Sequence, residues 1–431
     1  MLTWVRTTAP WVRVTCMLLI ATTIVIAAII ALVMSSSSDL ETQNKPVKIG
    51  ILHSLSGTMA ISERSVVDAA LLAVDEINAG GGVIGRQILP VVVDGQSDWI
   101  TFQQEAERLI TEEDVSVIFG CWTSACRKMV KPVIERRDHL LFYPIQYEGL
   151  EESPNIVYTG AAPNQQIIPA VKWFLDNRGK RFFLVGSDYV FPWAANAIIK
   201  DYLGYLGGET VGEEYILLGS KEVDDVISEI VAAKPDVIFN TINGDTNLAF
   251  FQGLASSGID SYEIPTVSFS IAEEELRFLD SELMAGNYAV WNYFQSLDTP
   301  DNHRFVESFK RKYGEDRVVD DAIRAGYLGL YLWAAAVESA GTDDVSKVKE
   351  SLRGQQFDAP GETVYVDSEN LHTWKSPIIG QIKADGQFGI VWKSETIIHP
   401  VPYPVSRTRS QWNRFLISLY NKWGGSWANP G

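Results

Sequence analysis

The chain has 431 residues, 46% hydrophobic and 21% charged, and a formal net charge of −18. That length exceeds one compact core and points to two or three domains, and the composition excludes disorder over most of the chain. Residues 1–46 hold Arg6, Arg13 and Lys45 against Asp39 and Glu41, so the remainder carries −19, an acidic surface that repels phosphate backbones and argues against nucleic-acid binding.

Arg6 and Arg13 precede Val14–Met34, which is 21 residues without a charge. As a helix that stretch spans about 30 Å, enough to cross a hydrocarbon core. The basic side stays in the cytoplasm, so residues 1–13 are expected inside and the rest outside, anchored in the inner membrane on the periplasmic side. The alternative is a cleaved signal peptide that releases the chain to the periplasm, although such apolar regions usually run about 7–15 residues. Cys16 opens the apolar run instead of following it, which does not suit lipid attachment. Residues 35–46 read as a polar tether.

Val47–Leu52 predicts a strand, Ser62–Asn78 an amphipathic helix with Val66, Ala69, Ala70, Ala73, Val74 and Ile77 on one face, and Gln87–Asp94 a second strand. The rhythm continues with a helix over Trp99–Glu113, a strand over Val115–Gly120, a helix over Ser124–Arg136 and a strand over Leu140–Tyr143. A second series follows: helices over Gln166–Asn177, Phe191–Leu206, Val223–Ala233 and Thr246–Ser257, and strands over Arg181–Gly186, Thr210–Tyr215, Val237–Thr241 and Pro265–Ser268. Short apolar strands alternating with longer helices mean βαβ units and parallel sheets. The expected fold class is therefore α/β, with two Rossmann-like lobes. One lobe takes residues 47–162 and 289–352, the other 163–288 and 353–400. Residues 401–431 form a tail, and a third crossing falls near residues 353–362.

Ligands of open α/β sheets bind beyond the C-terminal strand ends, so the loops there are the candidates. GCWTSAC (120–126) offers Trp122 as a flat wall and Ser124 at the helix cap. FYPIQYEG (142–149) crowds Tyr143, Gln146, Tyr147 and Glu148 around Pro144. GSDYVFPWAAN (186–196) gathers Asp188, Tyr189, Phe191 and Trp193, and NTINGDTN (240–247) sets Asn243 and Asp245 around Gly244. In SFSIAEEE (268–275) the three glutamates read as a solvated helix start. These loops are rich in aromatics, hydroxyls and amides and poor in cations. A carboxylate solute usually wants a dedicated arginine or donor cluster, so the balance favours a neutral amide-like solute.

No phosphate loop, HExxH or GxSxG triad is present, so neither catalysis nor a cofactor is expected. Cys121 and Cys126 could pair if their Cα atoms come within about 7 Å; the simpler reading is two small, half-buried residues in a tight loop, and the spacing suits no metal site. His303 and His372 fall in expected surface segments, and His53 reads as a hydrogen-bonded loop histidine. In the tail, Trp412, Phe415, Leu416, Leu419 and Trp423 share one helical face, fit to dock on the protein, on a permease or on the membrane surface.

The stretches GCWTSACRKMVKPVIE, LLFYPIQYEGLEESPNIVYTGAAPNQQ, FFLVGSDYVFPWAAN, VIFNTINGDTN, WNYFQS and DGQFGIVW strongly resemble the urea and short-chain-amide binding proteins, within the branched-chain amino-acid group of type I periplasmic binding proteins. The resemblance covers roughly residues 47–400. It implies a two-lobe clamshell, a solute held at the hinge, and ABC permease subunits as partners. Position by position it places ligand contacts on Trp122, Ser124, Tyr143, Ile145, Tyr189, Phe191 and the Asn243/Asp245 loop, with Ser268 and Ser270 opposite. In that scheme Asp188 or Asp245 accepts from NH2 groups and Ser124 donates to a carbonyl. Ile145 is apolar where the family could place a hydroxyl. YPIQYEG and NGDTN look like the urea-transport branch; the rivals are an amide sensor controlling an aliphatic amidase and a branched-chain amino-acid binder.

Overall fold

Val47–His53 (β1) is buried along its length apart from Lys48, the pattern of a central strand covered on both faces. The computed structural model describes residues 45–431, so the expected span Val14–Met34 lies outside the described residues. Among the described residues no helix is long and apolar enough to cross a membrane. Around β1, Ile88–Asp94 (β2), Ile118–Gly120 (β3), Leu141–Tyr143 (β4) and Ile156–Tyr158 (β5) form a parallel sheet in the order β2-β1-β3-β4-β5. Helices Ala60–Ala79, Trp99–Thr111 and Ser124–Arg136 connect its first strands. Asp98 caps the second by accepting from the Thr101 amide, and Thr123, not Ser124, caps the third by accepting from the Cys126 amide.

The second lobe repeats the scheme. Arg181–Ser187 (β6), Glu209–Ile216 (β7), Val237–Thr241 (β8), Thr266–Ser268 (β9) and Tyr288–Trp291 (β10) lie in the order β10-β9-β8-β6-β7, all parallel. Phe182 and Leu184 of β6 enter one core while Phe183 and Val185 enter the other, so both faces of the sheet are covered, as the period of two requires.

Three features differ from the sequence expectation. β10 belongs to the second sheet, so the chain leaves that lobe after Trp291, not at 288. Gln356–Ala359 (β11), Glu362–Val366 (β12) and Thr373–Trp374 (β13) form a small antiparallel sheet. Its Ala359, Val364, Val366 and Leu371 pack into the first lobe's core. The third crossing therefore falls after Trp374, where Ile378–Ile382 (β14) and Phe388–Lys393 (β15) extend the second sheet antiparallel beyond β10. Apolar side chains facing the first core hold 353–374 there. Finally, His372 is fully buried, stacked on Tyr158; burial pushes its imidazole down to about 3, so it is neutral.

The tail docks on the protein itself. Helix Arg409–Lys422 carries a Thr408/Gln411 capping box and buries Trp412, Leu416 and Leu419 in the second lobe's core. Its flanks also reach the first lobe. The Leu150 amide donates to the Pro402 carbonyl at 2.7 Å, Arg409 pairs with Glu152, and the Lys128 ammonium lies 4.9 Å from the Trp427 ring.

Candidate functional site

The loops that leave β3 and β4 face those that leave β6 and β8. Together Trp122, Ser124, Tyr143, Ile145 and Gln146 of the first lobe and Tyr189, Phe191 and Asn243 of the second line a small, tightly closed cavity. All eight are at most 3% exposed, so this is a closed cleft. Gly160 makes the close packing possible, because a Cβ there would sit 2.0 Å from the Ile145 carbonyl carbon. Direct bonds join the lobes around the cavity. Trp122 Nε1 donates to Asn243 Oδ1 at 3.2 Å, Gln146 Nε2 donates to the Phe269 carbonyl at 2.6 Å, and Thr58 donates to Asp245.

Seven of the eleven expected contacts are thus brought together: Trp122, Ser124, Tyr143, Ile145, Tyr189, Phe191 and Asn243. The other four are not. Asp188 accepts from Trp193 Nε1 at 2.7 Å and from Asn429 Nδ2 at 2.6 Å, held away by the tail. Asp245 serves the Thr58 latch. Ser268 accepts from Asn240 Nδ2, and Ser270 donates to the Ile242 carbonyl. Gln146 lines the cavity although its loop alone gave no reason to prefer it; its partner, Phe269, is 123 positions away.

The polar atoms of the lining are almost all engaged. Ser124 Oγ donates to Glu148 and accepts from Arg127 Nη1 at 3.0 Å, which removes the hydroxyl from the carbonyl-donor role expected for it. Tyr143 donates to the Trp122 carbonyl at 2.6 Å. Gln146 Oε1 is not: it is a buried acceptor without a partner. Its orientation follows from the amide nitrogen's bond to Phe269. No charged side chain lines the cavity among the described residues.

Beneath the cavity lies a buried charge network. Arg127 contacts Glu148 at 3.2 Å and Glu151 at 3.0 Å, and Lys128 contacts Glu151 at 3.2 Å. The guanidinium also lies against the Tyr143 and Tyr147 rings. Burial alone would push Glu151 up, but Lys128, Arg127 and Lys131 hold it far below the usual carboxylate range. The same pairing keeps Arg127 charged against its own desolvation. This network positions the helix start that carries Ser124; with both partners in place, its charge does not reach into the cavity as a free cation.

Cys121 and Cys126 form a disulfide with Cα atoms 5.7 Å apart, not the free pair expected. It clips the loop holding Trp122, Thr123 and Ser124. The tryptic peptide from Leu109 to Arg127 is expected to run two hydrogens lighter without reductant. Reduction should remove about 2 kcal/mol, as loop closure over so short a span gives; a peptide mass unchanged by reductant would refute the bridge.

Comparison with known proteins agrees with this architecture. The model of the periplasmic binding protein domain matches residues 47–409. A solute-binding protein of an ABC transporter from Rhodopseudomonas palustris BisB5, solved with 3,4-dihydroxybenzoic acid, is similar in structure at TM-score 0.75 and 20% identity. That match covers 82% of this chain and 99% of the other. A leucine-binding protein from Thermotoga maritima MSB8 is similar at TM-score 0.71 and 20% identity, covering 82% and 99%. Leu/Ile/Val-binding protein homolog 6 of Brucella melitensis is 23% identical over 354 residues, which is 79% of this chain and 88% of that one. A match to limonene hydroxylase of Geobacillus stearothermophilus, 36% identical, spans 124 residues, 29% of this chain and 22% of that protein. With a two-lobed binding fold, a closed interlobe cavity and a family match over most of its length, the chain belongs to the periplasmic binding protein domain family.

Proposed function

We propose that this protein captures a small neutral amide, of the class of urea and the short aliphatic amides, outside the cytoplasm and presents it to an ABC importer. The observation that carries the reading is an unsatisfied buried acceptor in the cavity. Gln146 Oε1 is a buried acceptor without a partner, in a lining without charge. A solute N–H supplies what that oxygen lacks, whereas a carboxylate would set oxygen against oxygen with no cation to offset it. The solute carbonyl then accepts from the free amides at the start of helix Ser124–Arg136, and Trp122, Tyr143, Tyr189 and Phe191 exclude water. Residues 14–34 would anchor the protein, and closure of the lobes would be the signal that a permease reads. No step of this role calls for catalysis.

Calorimetric titration with urea, acetamide, formamide, leucine and benzoate tests the assignment. Saturable binding of urea or an amide, with none of leucine or benzoate, is the expected outcome. Binding of leucine or benzoate alone would overturn it and move the protein to the branched-chain or aromatic-acid binders.

A further inference from the structure

Glu273, Glu274 and Glu275, expected to be solvated, are 1–3% exposed. The contact between lobes covers them. Ser62 of helix Ala60–Ala79 in the first lobe donates to Glu275 Oε1 at 2.5 Å, while Glu275 Oε2 accepts from the Ala272 amide of its own lobe. Glu273 Oε1 accepts from the Gln295 amide of the segment that follows β10, and its Oε2 is buried without a partner. Asp320 of the first lobe, also buried, accepts from the Ile323 amide and feels the charges of Glu275 and Glu273.

Among the described residues the surrounding cations make no ion pair with Glu273, Glu275 or Asp320. Arg277 pairs with Glu274 and Asp316, and Arg317 with Asp68. Arg324 donates to the Pro360 and Glu362 carbonyls. Lys375 lies 3.9 Å from Asp321, whose other oxygen accepts from the Asn292 amide, and the buried His53 is tied to Glu63. Tyr293 fills the remaining side. Among the described residues Glu273, Glu275 and Asp320 have no ion pair, and burial of three carboxyls so placed disfavours their joint ionisation.

We infer that Glu273, Glu275 and Asp320 make closure of the cleft proton-linked: the closed form holds protons that the open, wetted cleft gives up. Opening parts Ser62 from Glu275 and lets water reach the cluster. Burial pushes Glu273 up to about 8 and Glu275 up to about 7, and Asp320 is also raised by burial and by Glu275. The closed state thus has the higher affinity for protons. Its advantage is fully present below the ordinary carboxylate range and is lost as pH rises through 7 to 8.

The binding arm of the test rests on the amide reading; the shape arm does not. Small-angle scattering of the solute-free protein should show a compact particle at pH 6 that expands by pH 8.5. The variant Glu273→Gln/Glu275→Gln/Asp320→Asn should stay compact throughout. If that variant does not fold, Glu275→Gln alone should flatten the response. Urea or acetamide affinity should weaken at least about ten-fold from pH 6 to 8.5, a factor equal to one pKa unit of linkage, and should be flat in the variant. A wild-type shape indifferent to pH, or a response the substitutions leave intact, overturns the inference. Failure of every amide to bind at any pH refutes the solute assignment while the scattering still decides this one.

Discussion

Arg127→Ala is expected to lose about 3–5 kcal/mol of folding stability at pH 7, the range for removing one partner of a buried ion pair. The guanidinium is fully buried between Glu148 and Glu151 and also donates to Ser124. Its removal leaves Glu148 without its closest cation, since Lys128 is 3.8 Å away, and leaves Glu151 to Lys128 and Lys131. Guanidinium chloride is the denaturant to use, because urea is the proposed solute. Dependence on pH separates lost charge pairing from lost packing. In the wild type Glu151 is held below its ordinary range, so its contribution is present above that range and disappears as pH falls below it. In the variant Glu151 loses a cation that held it low and protonates more readily, and the gap to wild type should narrow from pH 7 to 4. A companion variant Arg127→Met/Lys128→Met/Glu148→Gln/Glu151→Gln removes the four buried charges together and should recover most of the loss. A loss below about 1 kcal/mol, or a gap indifferent to pH, would mean that packing against Tyr143 and Tyr147 matters and the charges do not.

The parts of this protein visible in its sequence are those governed by local periodicity. β1 to β4 and β6 to β9, with the helices between them, follow from short apolar runs and helical faces. Their order places the loops after β3, β4, β6 and β8 on one cleft, so seven of the expected contacts meet there. What the sequence hides depends on partners distant along the chain. Asp188 stands at a strand end like a ligand group, yet its carboxylate is taken by Asn429, 241 positions on. Glu273–Glu275 resembles a solvated helix start until Ser62, 213 positions away, covers it. β11 and β13 are strands of four and two residues, too short for a period to register, and only the fit of their small sheet to the first core shows which lobe it joins. Cys121 and Cys126 needed a distance, which spacing alone does not supply. The tail helix was legible as amphipathic, but its three possible surfaces became one only when the second lobe's core was seen to receive Trp412.

Gln146→Leu carries the largest expected effect on solute capture, at least about a hundred-fold weaker binding of urea or acetamide, or about 2.7 kcal/mol. Two losses combine. The solute N–H loses its acceptor at Oε1, and a buried donor left unpaired costs about 1–3 kcal/mol. The closed form also loses the Nε2 bond to the Phe269 carbonyl, a bond that spans the lobes, so closure itself weakens. Leucine keeps nearly the same volume, so the fold should melt close to wild type and the defect should sit in affinity. Substituted solutes separate the two losses. Formamide presents N–H to Oε1 and N,N-dimethylformamide cannot, so the wild type should prefer formamide strongly. The leucine variant lacks the acceptor in either case and should discriminate far less, while the closure defect affects both solutes alike. The difference of differences isolates the N–H to Oε1 interaction from closure. Equal discrimination in both proteins would place the solute's nitrogen elsewhere in the cavity and remove the main support for a neutral amide as the ligand.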